Sequence, residues 1–458
     1  MRTLMFASLA VLALALAAPA AVADETFPAT LESHAVLPAA TFVAPPADAS
    51  PDLAVSGKYT AVDGKRVDAV GTVPGITSLS NKEAPRLTGL STPFEGQPVQ
   101  GFSGIKAMGD GSYWVLQDNG FGAKANSPDA MLMIHRIRPD FAAGTIALEE
   151  TIFVSDPDKV IPFRIVGEAS ARRYLTGADL DIESIQPVGD RIFVGDEFGP
   201  FLVELGRDGR VKAIHDTLAD GKPVRSPDNP AVSTPAAPGG KVAFNARRSR
   251  GFEGMAASSD GTKLYPLLEG PLWVEDAQAF ETVDGKEVLR ILEFDVAKGA
   301  FTGRFWLYPL EAAGNAIGDF NLVDATTGLV IERDNGEGLA AAACRGEDKG
   351  PNCFPTPAKL KRIYKIELTD ANVGKPVRKI GHIDLLAIAD PHGKARQGGG
   401  EGRFSFPFVT IEDVEVVDGS RIIVGNDNNL PFSAGRAPQK QDDNELVILS
   451  VPEFLAAR

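Results

Sequence analysis

The chain repeats itself. Five segments carry one pattern: GFSGIKAMGDGSYWVLQDNG from Gly101, DIESIQPVGDRIFVGDEFGP from Asp181, GFEGMAASSDGTKLYPLLEGP from Gly251, IGDFNLVDATTGLVIERDNGEG from Ile317 and TIEDVEVVDGSRIIVGNDNN from Thr410. Each joins two apolar-rich runs through a turn built on Gly, Asp, Ser or Thr, which is the mark of a β-hairpin. Near the start of each copy stands a polar or acidic residue: Ser103, Glu183, Glu253, Asp319 and Glu412. A second set closes the second run: Asp118, Asp196 with Glu197, Glu269, Asp334 and Asp427. The two sets are 13 to 16 residues apart in every copy. Antiparallel pairing puts the start of one strand beside the end of the next. Every hairpin therefore gathers its marked residues at one end.

Further strand-like runs, such as MLMIHRIRP, VLRILEFDV and RIYKIEL, lie between the hairpins. Each unit thus holds four strands. A repeat of this kind predicts an all-β fold, a β-propeller whose blades have four antiparallel strands. Five blades are explicit, and a sixth is expected from the N-terminal segment with 445–451. A pair of sandwiches is the competing architecture, but it does not call for an acidic residue at the same place in each unit. Residues 24–85, rich in Ala, Pro and Gly, read as a lead-in that supplies a ring-closing strand, and 86–458 as the propeller domain. The Pro/Gly-rich stretches 219–241 and 389–403 are loops by composition, either functional or decorative.

The first 23 residues read as an export signal: Arg2, an apolar run over 4–18, and the small-x-small site Ala21-Val22-Ala23. The mature chain is expected to begin near Asp24, in the periplasm or beyond it. No later stretch has the length of apolar residues that a membrane-spanning helix needs. The formal charge of −15 repels nucleic acid and anionic membranes at long range. It leaves room for an anionic substrate, because a bound cation reverses the local sign. We expect a monomer acting on a small anionic ester. Cys344 and Cys353 are the chain's two cysteines. In an oxidising compartment they are expected to form one local disulfide.

In a propeller the first strand of each blade lines a central channel, so the marked residues converge on one mouth. Like charges at that spacing need neutralising. Ca²⁺, which takes about six to eight oxygen ligands, does this well. Asn119, Asn335, Asn426, Asn428 and Asn429 stand beside the acidic positions and could add neutral oxygens. Asp179, Asp181 and Glu183 share one face of a strand. The alternative is structural: the carboxylates cap turns or pair with Arg250, Arg333 and Arg403. Neither G-x-S-x-G nor H-E-x-x-H occurs, and the five histidines are scattered.

These motifs resemble the phytase-like propeller family, named for the esterase-like activity of phytase. The resemblance rests on Asp181–Ile185 as DIESI with GDEFGP from Gly195, RGFEG from Arg250, VIERDNGEG from Val330, IEDVE from Ile411 and GNDNNLPFS from Gly425. It spans about residues 87–454. It implies a hydrolase of phosphate esters with Ca²⁺ in an acidic channel. The similar alkaline phytases carry a D-A-A-D-D-P-A-x-W stretch and an R-Y-D motif, and this chain has neither. The acidic pattern of the repeat makes Asp118, Glu183, Asp196, Glu197, Glu269 and Asp427 the expected metal ligands, although no ligand of the alkaline phytases carries over residue by residue. Glu253 and Glu412 would be catalytic, and Arg250 and Arg403 would bind substrate. A lactonase or carboxyl esterase resembling the gluconolactonase propellers, and a non-catalytic ligand-binding propeller, remain the other two functions compatible with the pattern.

Overall fold

The computed structural model describes residues 25–458; the expected export signal lies outside them. All five repeats form antiparallel hairpins, and each is extended outward by two more strands. Blade 1 comprises Phe102–Ala107, Tyr113–Gln117, Met133–Asp140 and Thr145–Phe153. Blade 2 comprises Ile182–Val188, Arg191–Asp196, Phe201–Gly206 and Val211–Asp216. Blade 3 comprises Phe252–Ala257, Lys263–Leu268, Lys286–Asp295 and Ala300–Pro309. Blade 4 comprises Ala316–Leu322, Thr327–Arg333, Lys361–Glu367 and Arg378–Asp384. Blade 5 comprises Asp413–Asp418, Arg421–Gly425 and Asn444–Ser450, and its outer strand is the N-terminal Thr30–Leu37.

The innermost strands neighbour one another in the cyclic order 1-2-3-4-5-1. Five separate apolar cores fill the five gaps between successive blades. Ile134 meets Ile185 between blades 1 and 2, Phe193 meets Phe252 between 2 and 3, and Ile291 meets Val330 between 3 and 4. Ile331 meets Val447 between blades 4 and 5, and Leu446 meets Val115 between 5 and 1. Sheets buried on both faces need strands with near-continuous apolar runs, and RIIVG and TGLVIER supply them.

The ring is five-bladed among the described residues, not six. The two segments expected to build a sixth blade do pair with each other, Leu31 opposite Leu449 and Val36 opposite Glu445. They do so as the outer half of blade 5. The hairpin's own continuation, Asn444–Ser450, is its third strand, and the N-terminal strand adding to that open edge also ties the two chain ends together.

Residues 41–98 form three short ladders that lie on the mouth end of the ring. Lys58 N donates to Asp129 Oδ2 at 2.8 Å, Thr77 Oγ1 to Glu337 Oε1 at 2.8 Å and Thr88 Oγ1 to Pro431 O at 2.9 Å. All three acceptors belong to loops that follow the second strand of a blade: 1, 4 and 5. The segment is therefore a cap over that side of the mouth. Arg86, buried under it, pairs with Glu337, donates to Cys353 O at 3.3 Å and sits 4.8 Å over the Phe354 ring. The expected disulfide, Cys344–Cys353, anchors this loop. No helix of the described residues is long and apolar enough to cross a membrane.

Candidate functional site

The marked residues are aimed by the hairpins' own backbone. In blades 1, 2 and 3 the register slips by one residue at the start of the inner strand, around Ser103, Glu183 and Glu253. A bulge of this kind re-aims the extra side chain. The N–H groups of Asp118, Glu197 and Glu269 then bond the carbonyls of Gly101, Asp181 and Gly251, at 2.7 to 3.0 Å. These bonds lock the second set beside the first.

Blade 4 breaks the rule. There Arg333, not Asp334, stands opposite Ala316, in the place that Glu269 holds in blade 3. The bulge takes in both Gly318 and Asp319, and Gly318 takes the mouth position. A Cβ on Gly318 would lie 1.8 Å from Ile411 O, so no carboxylate can stand there. Asp319 instead accepts from Val414 N at 2.9 Å and Phe320 N at 2.7 Å, joining the inner strands of blades 4 and 5. Asp334 turns outward to Lys361 Nζ at 3.2 Å and Lys359 N at 2.8 Å.

Eight carboxyl groups thus meet at the mouth: Asp118, Asp181, Glu183, Glu197, Glu253, Glu269, Glu412 and Asp427, all buried. Two guanidiniums face them. Arg333 Nη2 lies 3.0 Å from Glu412 Oε1, 3.5 Å from Glu269 Oε1 and 3.9 Å from Glu253 Oε1. Arg250 Nη1 lies 2.5 Å from Glu269 Oε1, and its side chain, 30% exposed, marks the rim. Burial works against the Arg333 charge, but the three glutamates outweigh it and raise its pKa.

The acids respond as crowded, buried groups must. Burial, then the Asp181 and Glu253 charges, pushes Glu183 well above the ordinary range. Burial raises Glu253 first, then Glu269 and Glu412. Burial and the Glu269 charge do the same for Glu197, burial and the Asp181 charge for Asp118, and burial and the Asp118 charge for Asp427. Glu412 rises through burial, though Arg333 pulls it back. Carboxyl groups so crowded cannot all stay ionised, so the raised acids favour their protonated forms, and a cation would relieve the crowding.

The donor set fits hard divalent cations. One oxygen each from Asp181, Glu183 and Glu197 lie within 4.8 Å of one another, and so do oxygens of Glu197, Glu253 and Glu269. Ligands about 2.3–2.6 Å from one Ca²⁺ lie within about 5 Å of each other. Glu197 belongs to both groups, and its Oε1 is buried with no hydrogen-bond partner. An unpaired buried carboxylate oxygen is costly, and a cation would satisfy it.

Several expected ligands are elsewhere. Asp196 accepts from Asp181 N at 2.8 Å and Gly199 N at 2.6 Å, and burial lifts its pKa to about 7. It occupies the position of Leu268, one residue short of the mouth, and braces the loop. Asp179 is tied to Thr176 N and Val166 N. The amide oxygens of Asn119, Asn426 and Asn428 already accept from Phe121 N, Glu445 N and Gly101 N. Asn335 is exposed and donates to Gly314 O, while Asn429 N donates to Asp427 Oδ1. Arg403 lies exposed on a two-residue strand opposite Ala389, at the outer edge of blade 5, and pairs with none of the mouth acids. Its place as the second guanidinium is taken by Arg333. Asp181, which the sequence sets on one strand face with Glu183 but which was not among the expected ligands, joins the mouth.

The sequence profile of the family described as "Phytase-like: Esterase-like activity of phytase" matches residues 97–430. The chain belongs to that family. No curated protein matches it in sequence. Many solved structures are similar to it in fold, 374 chains in all. The periplasmic gluconolactonase of Pseudomonas aeruginosa is 12% identical over 83% of this chain and 99% of that one, with a TM-score of 0.32. A luciferin-regenerating enzyme is 11% identical over 77% and 92%, with a TM-score of 0.29. The Dos1 propeller is 8% identical over 81% and 71%, with a TM-score of 0.28.

Proposed function

We propose that this phytase-like protein is an exported hydrolase of organic phosphate esters that works with divalent cations, Ca²⁺ foremost. The observation that carries the reading is Glu197. Its partnerless buried oxygen lies where two carboxyl triads meet, in a family named for a phytase's esterase-like activity. Asp181, Glu183, Glu197 and Glu269 would hold the cations, with Asp118 and Asp427 adding charge around them. Bound there, a hard cation would polarise a phosphoryl oxygen and lower the pKa of a water.

The chain's own groups divide the remaining work. Glu412 is fixed on both oxygens, by Arg333 at 3.0 Å and by Ser103 Oγ at 3.1 Å. It serves as a positioning residue. Glu253 has its nearest guanidinium only at 3.9 Å. With its pKa raised by burial, it is the better group to take a proton from water at its carboxylate oxygen. Arg250 and Arg333 would hold the substrate oxyanion, a role for which the planar guanidinium suits phosphate. The cap keeps bulk water from one side of the mouth, which strengthens every charge interaction inside.

The test is phosphate release from p-nitrophenyl phosphate and phytate by the mature protein, with EDTA and then with Ca²⁺ restored. Activity lost to the chelator and recovered with Ca²⁺ supports the reading. Turnover of lactones with no phosphate released under any condition overturns it. Periplasmic or secreted protein whose N-terminus is Asp24 would support export; a full-length chain retained inside the cell would refute it.

A further inference from the structure

The cap leaves one side of the mouth open. Among the described residues no hydrogen bond or ion pair joins residues 41–98 to the loops 219–250 or 270–285, which flank blade 3. Arg250, the most exposed charged group of the mouth, lies on that open side. Between those two loops is a cavity of about 580 Å³. The walls are joined by Trp273 N donating to Asn245 O at 2.8 Å. Trp273, held edge-on by Phe280 at 5.2 Å, forms one side. Phe244, 45% exposed, and Val274, 39% exposed, leave apolar surface facing the space.

The cavity's polar groups are unequally satisfied. Lys241 pairs with Glu275 at 3.3 Å, and Arg290 is held by Glu281 and Asp220, both at 2.8 Å. The Arg225 guanidinium and the exposed Lys222 and Asp276, also in the lining, have no ion-pair partner among the described residues. The free polar capacity is therefore mainly cationic, set against aromatic and aliphatic walls. The same chain segments run from this cavity into the mouth. Glu269 and Trp273 are four residues apart, so at most about 14 Å of chain separates them.

We propose that this groove is the subsite for the organic part of the ester, and that it selects phosphate monoesters of aromatic alcohols over polyol phosphates. The inference rests on the phosphoesterase reading and names its substrate class. A ring against Trp273 and Phe244 buries apolar surface, while Arg225 and Arg250 attract the anion. A polyol bearing many phosphates would gain nothing from the apolar walls and would bring its further charges against Asp276.

Tryptophan fluorescence of the mature protein tests this without relying on turnover. Trp114 and Trp306 are buried, 5% and 3% exposed, so a ligand in the groove reaches Trp273 first. Phenyl phosphate and phenol are the probes, with glycerol 3-phosphate and inorganic phosphate as comparisons. The expected result is a saturable change with phenyl phosphate, a weaker one with phenol, and no change in Trp273→Phe. Phe244→Ser, at an exposed position, should raise the KM ratio of phenyl phosphate to glycerol 3-phosphate about tenfold, while Arg225→Gln should raise the KM of both. An unchanged ratio in Phe244→Ser, with no Trp273 response, would overturn the groove while leaving phosphoester hydrolysis standing. A Trp273 response to phenyl phosphate, with no phosphate released under any condition, would uphold the groove as an aryl-anion site and overturn the reaction.

Discussion

Replacing Arg333 by Met removes the one cation buried inside the mouth. Its Nη2 lies 3.0 Å from Glu412 Oε1, with Glu269 and Glu253 only slightly farther. At an effective dielectric of about 20, the nearest pair alone is worth roughly 5 kcal/mol before desolvation is subtracted. Loss of one partner of such a buried pair costs about 3–5 kcal/mol, because the remaining charge has nothing to face. The cost must depend on pH. Near pH 5, where the raised pKa values of Glu253 and Glu412 favour their neutral forms, less negative charge is left uncompensated and the loss should fall to about 1 kcal/mol or less. Near pH 8 the full 3–5 kcal/mol should appear. Saturating Ca²⁺ should then close most of the gap, since a cation takes over the neutralisation. Urea denaturation of the wild type and the Met variant at the two pH values, with and without Ca²⁺, measures all of this. A deficit that is equal at both pH values and indifferent to Ca²⁺ would mean that Arg333 acts by packing and that the charge argument is wrong.

Glu253→Gln should lower kcat by about a hundredfold or more without lowering the denaturation midpoint, since the amide keeps the shape and removes one like charge; unchanged turnover would eliminate Glu253 as the base. The metal-free protein should lose stability as pH rises from about 4 towards 8. Its buried acids have folded pKa values above their unfolded ones, so the unfolded chain binds fewer protons across that range. Asp196 at about 7 and Asp319 at about 8 mark the upper end, and a midpoint that climbs with pH over this interval would refute the assignment. Adding Ca²⁺ should release protons, seen as a buffer-dependent heat in calorimetry; heats identical in buffers of different ionisation enthalpy would argue against protonated acids at the mouth. Cys344→Ala with Cys353→Ala, which opens a loop of sequence separation 9, should cost about 2–3 kcal/mol of stability. The same change should loosen the Arg86 anchor of the cap, measured as faster amide exchange over residues 77–92.

Much of the architecture could be read from the repeat. A hairpin is local, and its polar ends recur at fixed spacing, so the blades, their inner strands and the convergence of Glu183, Glu253, Glu412, Glu197, Glu269 and Asp427 all follow from alternation and turn chemistry. The number of blades did not. Whether 30–37 and 444–450 form a sixth sheet or complete the fifth depends on which open edge lies within reach. That is a property of the closed ring and not of either segment.

The site shows the same division. By itself the sequence determined that acidic side chains would crowd one end of every hairpin, because strand pairing and bulge position are set within about twenty residues. Only the tertiary structure decided which of them face the axis. In blade 4 the approach of Ile411 O leaves room for nothing larger than Gly318. The register there places Arg333 where another carboxylate was expected and turns Asp334 away. Asp196, acidic like its neighbour Glu197, is taken up by backbone N–H groups one residue from the mouth. Arg403, close in sequence to the last repeat, ends at the far edge of its blade. The identity of a charged residue is local, but the direction of its side chain and the charges it meets are set by contacts between blades far apart in the chain.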